Sequence, residues 1–176
     1  MWKLPGQLGI PFPEWTKFHE NSFDVAYVEA PFRNWTTGNM WVRSKLYKDL
    51  LELAKFIRDF SLYTRLFIAG FSDGATLCNY LVVENPEIFS GALIHSGLWV
   101  GGTDKNTPIE VPTKKIPISL ISGGTGFVEK TIAKNTQVAY SFYKNNHFPV
   151  MYERDESQSH TWNVDLVNNG LKFLGF

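Results

Sequence analysis

The sequence predicts an α/β fold built around a mostly parallel β-sheet. Short apolar runs rich in β-branched and aromatic residues alternate with longer segments whose apolar residues recur with helical period, a pattern typical of β-α units. Most of the short runs are apolar throughout rather than at every second residue, as expected of strands buried on both faces. Six strands are predicted in this way, at residues 2–4, 23–29, 66–71, 91–95, 118–122 and 148–153.

Four helices are predicted between and after these strands. Residues 40–60 carry an apolar stripe along one face, which is typical of a surface helix that lies on a sheet. The second helix follows Ser72 and ends at Asn85, because the proline after Asn85 disfavours helical backbone there. The third covers residues 130–145, and the fourth runs from residue 163 to the C-terminus. We therefore expect about six strands with helices on both faces, in one domain of residues 1–176.

The charge composition argues against nucleic acid or an anionic membrane as a partner. Lysine plus arginine and aspartate plus glutamate number 17 each, so no net field attracts a polyanion. Cys78 is the only cysteine, which excludes an intrachain disulfide and favours a reducing compartment. No secretory leader and no apolar run long enough to span a membrane is present, so we expect a soluble, cytoplasmic protein.

The strongest chemical signal is the G-x-S-x-G motif formed by Gly70, Ser72 and Gly74. It stands between a predicted strand and a predicted helix, where a sharp turn would project the serine hydroxyl from the edge of the sheet. The flanking glycines are expected to remove side chains that would collide in such a turn. The N-terminus of the following helix offers free N–H groups to a developing oxyanion. Ser72 is therefore the candidate nucleophile.

A serine hydroxyl needs a base to take its proton, and His160 is the candidate. It follows the last predicted strand in a polar loop, at the edge of the sheet where Ser72 is expected. His19 and His147 are expected to be solvated, and His95, which ends a strand, is expected to be buried and bonded to backbone. No paired histidine or cysteine spacing suggests a metal site.

These motifs together resemble the α/β-hydrolase superfamily. Within it, the chain resembles the small carboxylesterases and the esterase family that includes polyhydroxybutyrate depolymerases and feruloyl esterases. Residues 68–75 resemble the turn that carries the nucleophile in that family, residues 94–97 the end of its next strand, and residues 160–162 its histidine loop. The resemblance covers nearly the whole chain and implies a minimal fold without a lid.

The resemblance also implies an oxyanion hole. Residues 4–9 occupy the place of the family's oxyanion loop, with Pro5 where a histidine is usual. By that alignment the backbone N–H groups of Gln7 and Asp73 would bind the oxyanion.

Members of the family have a catalytic triad of serine, histidine and an acid. The acid is the member of the triad for which this chain departs from the family pattern. Aligning residues 122–128 with the family puts Gly126 where an aspartate is usual. Glu129, Asp104 and Asp155 are three alternative acids, and each is individually expected to be a solvated surface charge. The missing carboxylate leaves two hypotheses open.

In the first hypothesis, Ser72 and His160 hydrolyse small or exposed carboxylic esters through an acyl-enzyme, without a metal or organic cofactor. In the alternative, the chain is a catalytically weakened binding protein that keeps the hydrolase fold. The oligomeric state is not predicted.

Overall fold

A computed structural model describes residues 45–60, 64–99 and 110–176. Within these ranges the chain forms four helices and four strands. Helices and strands alternate except at the second and third strands, which follow one another. In chain order they are α1 (Lys45–Phe60), β1 (Phe67–Phe71), α2 (Asp73–Glu84), β2 (Gly91–His95), β3 (Ile118–Gly123), α3 (Phe127–Asn145), β4 (Val150–Asp155) and α4 (Val164–Leu174).

The four strands form one parallel sheet in the order β1-β2-β3-β4. They confirm the last four predicted strands, although β4 begins and ends two residues later than predicted. The strands predicted at residues 2–4 and 23–29 lie outside the described residues. The described sheet therefore has four strands rather than about six.

Helices cover both faces of this sheet. Alternate residues of β2 and β3, such as Ala92 and Ile118, belong to one buried cluster with side chains of α1, α2 and α3. On the opposite face, Gly170 of α4 lies so close to Ser119 and Leu93 that an added Cβ atom would be 2.6 and 3.1 Å from their side chains. This three-layer arrangement explains why the strands are apolar throughout.

The third helix begins earlier than predicted. Only residues 124–126 separate β3 from α3, which starts at Phe127 rather than at residue 130. Its N-cap is Gly126, with φ 80°, and no side chain caps the helix. The prediction missed this start because the usual capping residue is absent. As a result, Glu129 lies in the first turn of a helix rather than in a loop.

The parallel direction of the strands brings their carboxyl ends to one edge of the sheet. Ser72 directly follows β1, Ser96 directly follows β2, Glu129 follows β3 by six residues, and His160 follows β4 by five. Each of the four strands thus delivers one polar side chain to the same edge.

Within the described ranges, every helix is too short or too polar to cross a membrane. In the same part of the chain, no three histidine, cysteine, aspartate or glutamate side chains lie where they could hold a metal ion together.

Candidate active site

Ser72 occupies a sharp turn between β1 and α2. Its backbone has φ 56° and ψ −121°. Residues other than glycine adopt this conformation only when the surrounding structure enforces it. The Ser72 N–H donates to the carbonyl of His95 over 2.9 Å, which ties the turn to the end of β2. The hydroxyl is thereby held at the edge of the sheet.

The two glycines of the motif have different roles. A Cβ atom on Gly70 would lie 2.5 Å from the backbone carbon and oxygen of Gly74, so a side chain there would push β1 and α2 apart. A Cβ atom on Gly74 would meet no described atom within 4 Å. The expected steric collision is therefore found at Gly70, whereas at Gly74 no described atom stands in the way of a side chain.

His160 lies between Ser72 and a carboxylate. Its Nε2 is 2.9 Å from Ser72 Oγ, and its Nδ1 is 2.7 Å from Glu129 Oε2. An ionised carboxylate only accepts, so Nδ1 carries the proton and Nε2 of the neutral ring accepts from the Ser72 hydroxyl. The ring of Phe71 stacks on the imidazole at 5.0 Å between centroids and an angle of 29°. The tautomer with the proton on Nδ1 of His160 is the one that a general base toward Ser72 needs.

Glu129 is fully buried, with no exposed surface. Its position in the first turn of α3 directs the side chain back toward the helix N-terminus and hence toward the site. The Oε1 atom accepts from Ser96 Oγ at 2.7 Å and from the N–H of Gly123 at 2.6 Å. The Oε2 atom is left to His160.

The ionised form of Glu129 is favoured despite burial. Burial raises its pKa, but the hydrogen bonds from Ser96, Gly123 and His160, together with the charge that His160 can carry, hold that pKa below its ordinary value. The expectation that Glu129 is a solvated surface charge is therefore wrong.

The sequence offered Glu129 as one of three alternative acids without choosing it, because an acid was expected at the place of Gly126. Gly126 itself is exposed and supplies no side chain. The spacing of Glu129, three residues beyond Gly126, made it a candidate, and the helix start at Phe127 places the two residues within one helical turn. Sequence reasoning also attached no role to Ser96, although it is a polar residue at the end of a strand on the same edge.

The side chain of Asp155, another of the carboxylates considered, has described hydrogen bonds with Ser157 and Asn163 and none with His160. Asp155 accepts from the N–H and the hydroxyl of Ser157, at 2.9 and 2.6 Å, and from Asn163 Nδ2 at 3.3 Å. It stabilises the loop that carries His160 rather than the imidazole itself. Asp104 lies outside the described residues.

Asp73 begins α2, so its N–H is among the first of the helix, which have no acceptor within the helix. This placement is compatible with the oxyanion role expected of that N–H. Burial raises the pKa of the Asp73 carboxyl, and the charge that His160 can carry lowers it in part. Gln7, the other expected donor, lies outside the described residues.

The remaining histidines lie where the sequence predicted, as far as they are described. His95 is fully buried, and its Nε2 accepts from the backbone N–H of Asn163 over 3.1 Å. His147 is exposed. His19 is outside the described residues.

A parallel α/β sheet with a serine in a strained strand-to-helix turn, bonded to a histidine on the same edge, defines the α/β-hydrolase class. The chain belongs to the Phospholipase/Carboxylesterase family, whose sequence profile matches residues 45–174. This agrees with the resemblance to the superfamily and to its small carboxylesterases. The narrower resemblance to polyhydroxybutyrate depolymerases and feruloyl esterases receives no support.

Solved structures of esterases share the fold. Esterase PE8 is similar with a TM-score of 0.64 at 18% identity, over 84% of this chain and 66% of that one. A phospholipase/carboxylesterase from Dyadobacter fermentans has a TM-score of 0.62 at 16% identity, over 73% and 61%. A carboxylesterase from Bacillus cereus has a TM-score of 0.57 at 13% identity, over 72% and 58%. The chain thus spans less than two thirds of the length of these proteins. No curated protein sequence matches it.

Proposed function

We propose that this protein is a serine esterase in which Ser72 is the nucleophile, His160 the general base and Glu129 the acid of the triad. The observation that carries the proposal is the continuous hydrogen-bonded chain from Ser72 Oγ through both nitrogens of His160 to Glu129 Oε2, with distances of 2.9 and 2.7 Å. Membership of a family described as phospholipases and carboxylesterases supports an ester as the substrate.

The proposed reaction begins when Nε2 of His160 takes the hydroxyl proton of Ser72 as Oγ attacks the ester carbonyl carbon. The carboxylate of Glu129 stabilises the imidazolium that forms. The backbone N–H groups of Asp73 and Gln7 would stabilise the oxyanion of the tetrahedral intermediate. His160 then donates its proton to the departing alcohol, and a water molecule, activated by the same ring, hydrolyses the acyl-enzyme.

Small or exposed esters are the substrates that we favour. Among the described connections at the site edge, β1 and α2 are separated by Ser72 alone, and β3 and α3 by residues 124–126. Connections of this length contribute little apolar surface to enclose a long acyl chain. Faster hydrolysis of p-nitrophenyl laurate than of p-nitrophenyl acetate would contradict this part of the proposal.

The alternative of a non-catalytic binding protein has two motives, the missing aspartate at the place of Gly126 and Pro5 in the expected oxyanion loop. Pro5 lies outside the described residues. The buried Glu129 in contact with His160 speaks against the first motive, because it supplies a carboxylate from the first turn of α3. The two proposed functions differ in whether the Ser72 hydroxyl is reactive.

The deciding experiment compares the wild type with Ser72→Ala and His160→Ala in p-nitrophenyl acetate hydrolysis and in labelling by a fluorophosphonate probe. We expect labelling and turnover in the wild type and neither in Ser72→Ala, because only an activated serine reacts. Turnover in the wild type no faster than in Ser72→Ala, together with no labelling, would favour the binding protein.

A further inference from the structure

Ser96 is one of three donors that hold the carboxylate of Glu129. Its hydroxyl and the N–H of Gly123 both bond to Oε1, at 2.7 and 2.6 Å, while His160 bonds to Oε2 at 2.7 Å. Ser96 is 1% exposed and has φ 53°, in the left-handed region. The fold therefore holds a non-glycine residue in an unfavourable conformation at the point where its hydroxyl reaches the acid.

The direction of each hydrogen bond around Ser96 follows from the chemistry of its neighbours. The single hydroxyl proton of Ser96 goes to the carboxylate of Glu129, so Ser96 Oγ must accept from Nδ1 of His95, which is 2.9 Å away. His95 Nε2 accepts from the N–H of Asn163. The three contacts are compatible only with a neutral His95 that carries its proton on Nδ1.

His95 also joins the acid to the loop of the base. Asn163 is the N-cap of α4 and lies three residues beyond His160. Its N–H bonds to one side of the His95 ring, and the other side of the ring directs the Ser96 hydroxyl toward Glu129. Burial lowers the pKa of His95 to about 4, in agreement with a neutral ring.

We propose that Ser96 and His95 are positioning residues of the esterase, which act as a hydrogen-bonded relay that orients Glu129 toward His160. This inference rests on the proposed function in that His160 and Glu129 are taken as base and acid. Neither residue touches the reacting atoms; both act through the carboxylate. The titratable groups that face Glu129 in the described structure are His160 and His95.

The relay has a physical purpose. A glutamate side chain has one more rotatable bond than an aspartate side chain. Holding it in one conformation therefore costs more conformational entropy. Two donors on Oε1 fix the rotation of the carboxylate and leave Oε2 in line with Nδ1 of His160. Of the described donors to Oε1, loss of the Ser96 bond leaves the Gly123 N–H alone.

The first test is the turnover of Ser96→Ala and Ser96→Gly. Both remove the hydroxyl, and the glycine variant also relieves the backbone strain at φ 53°. We expect kcat to fall about ten- to a hundred-fold, as for loss of a hydrogen bond to a charged group, with KM unchanged. The matched control is Ser119→Ala, which removes a buried serine hydroxyl that has no hydrogen-bond partner in the described structure. Equal turnover in Ser96→Gly and the wild type would overturn the proposal.

The second test separates positioning from general damage to the fold. In a Glu129→Ala background, Ser96→Ala should cost no further activity, because its effect passes through the carboxylate. A further loss equal to that in the wild type would overturn the inference. His95→Asn keeps a donor near the place of Nδ1 and should retain more activity than His95→Phe, whereas equal losses would contradict the relay.

The third test needs no turnover. Titration of the Glu129 carboxyl carbon by NMR should show a higher pKa in Ser96→Ala than in the wild type, because a hydrogen bond to the ionised form is lost. An unchanged titration would overturn the inference even if the protein is an esterase. Failure of the proposed function would appear separately, as a wild type no faster than Ser72→Ala.

Discussion

Replacement of Glu129 by glutamine tests the proposed triad with almost no change of shape. The N–H of Gly123 can only donate to the atom that lies 2.6 Å away, so the amide oxygen of the glutamine must take the place of Oε1. The amide nitrogen then faces Nδ1 of His160, where Oε2 lies 2.7 Å away in the wild type. Since that nitrogen is a donor, Nδ1 must become the acceptor and the ring proton must move to Nε2.

The expected loss follows from this change of tautomer. With the proton on Nε2, His160 donates to Ser72 Oγ across the 2.9 Å contact and cannot take the hydroxyl proton. In serine proteases the same change of tautomer lowers kcat by about four orders of magnitude, which corresponds to about 5 kcal/mol in activation free energy. We expect a loss of this size in kcat for Glu129→Gln, with little change in KM.

Stopped-flow and steady-state hydrolysis of p-nitrophenyl acetate would measure this loss against Ser72→Ala as baseline. Asp155→Asn is the matched control, because its amide oxygen can still accept from Ser157, and we expect turnover within about threefold of the wild type. Circular dichroism would show that both variants fold. Retention of more than a tenth of the wild-type kcat by Glu129→Gln would refute the tautomer reasoning, and an equal loss in Asp155→Asn would mean that the acid is not identified.

Three further predictions concern stability. Gly70→Ala places a methyl group 2.5 Å from the backbone of Gly74 and should cost roughly 3 kcal/mol in the free energy of unfolding, whereas Gly74→Ala should gain up to about 1 kcal/mol; equal effects in urea unfolding would contradict the packing argument. Asp73→Asn should raise Tm at pH 7, because burial raises the pKa of Asp73 and disfavours its ionised form in the fold; the gain should vanish below the ordinary pKa of 3.8, and a gain that persists there would require another cause. Burial lowers the pKa of His95 from 6.5 to about 4. Protonation of His95 should therefore leave the free energy of unfolding unchanged above pH 6.5 and lower it by about 3 kcal/mol as the pH falls toward 4. If the free energy of unfolding of His95→Asn depends on pH in the same way, His95 is not responsible.

Most of the described fold could be predicted from local patterns. The continuous apolar runs of β2 and β3 reflect burial by helices on both faces, and all five residues of β2 and all six of β3 are buried. The prediction failed at the start of α3, where an exposed glycine with φ 80° stands in place of a capping side chain. Such a helix start depends on tertiary contacts, since Gly124 and Thr125 both donate to the carbonyl of Gln158 in the histidine loop.

The sequence by itself determined where Ser72 and His160 lie, because a strand followed by a tight turn or a polar loop is a local pattern and parallel strands bring their ends to one edge. Only the tertiary structure decided which carboxylate meets His160. The position of the Glu129 carboxylate depends on the Gly123 N–H, on the Ser96 hydroxyl and on the register of α3. These groups come from separate elements, and a side chain that is oriented by hydrogen bonds from distant parts of the chain leaves no periodic signal in the sequence.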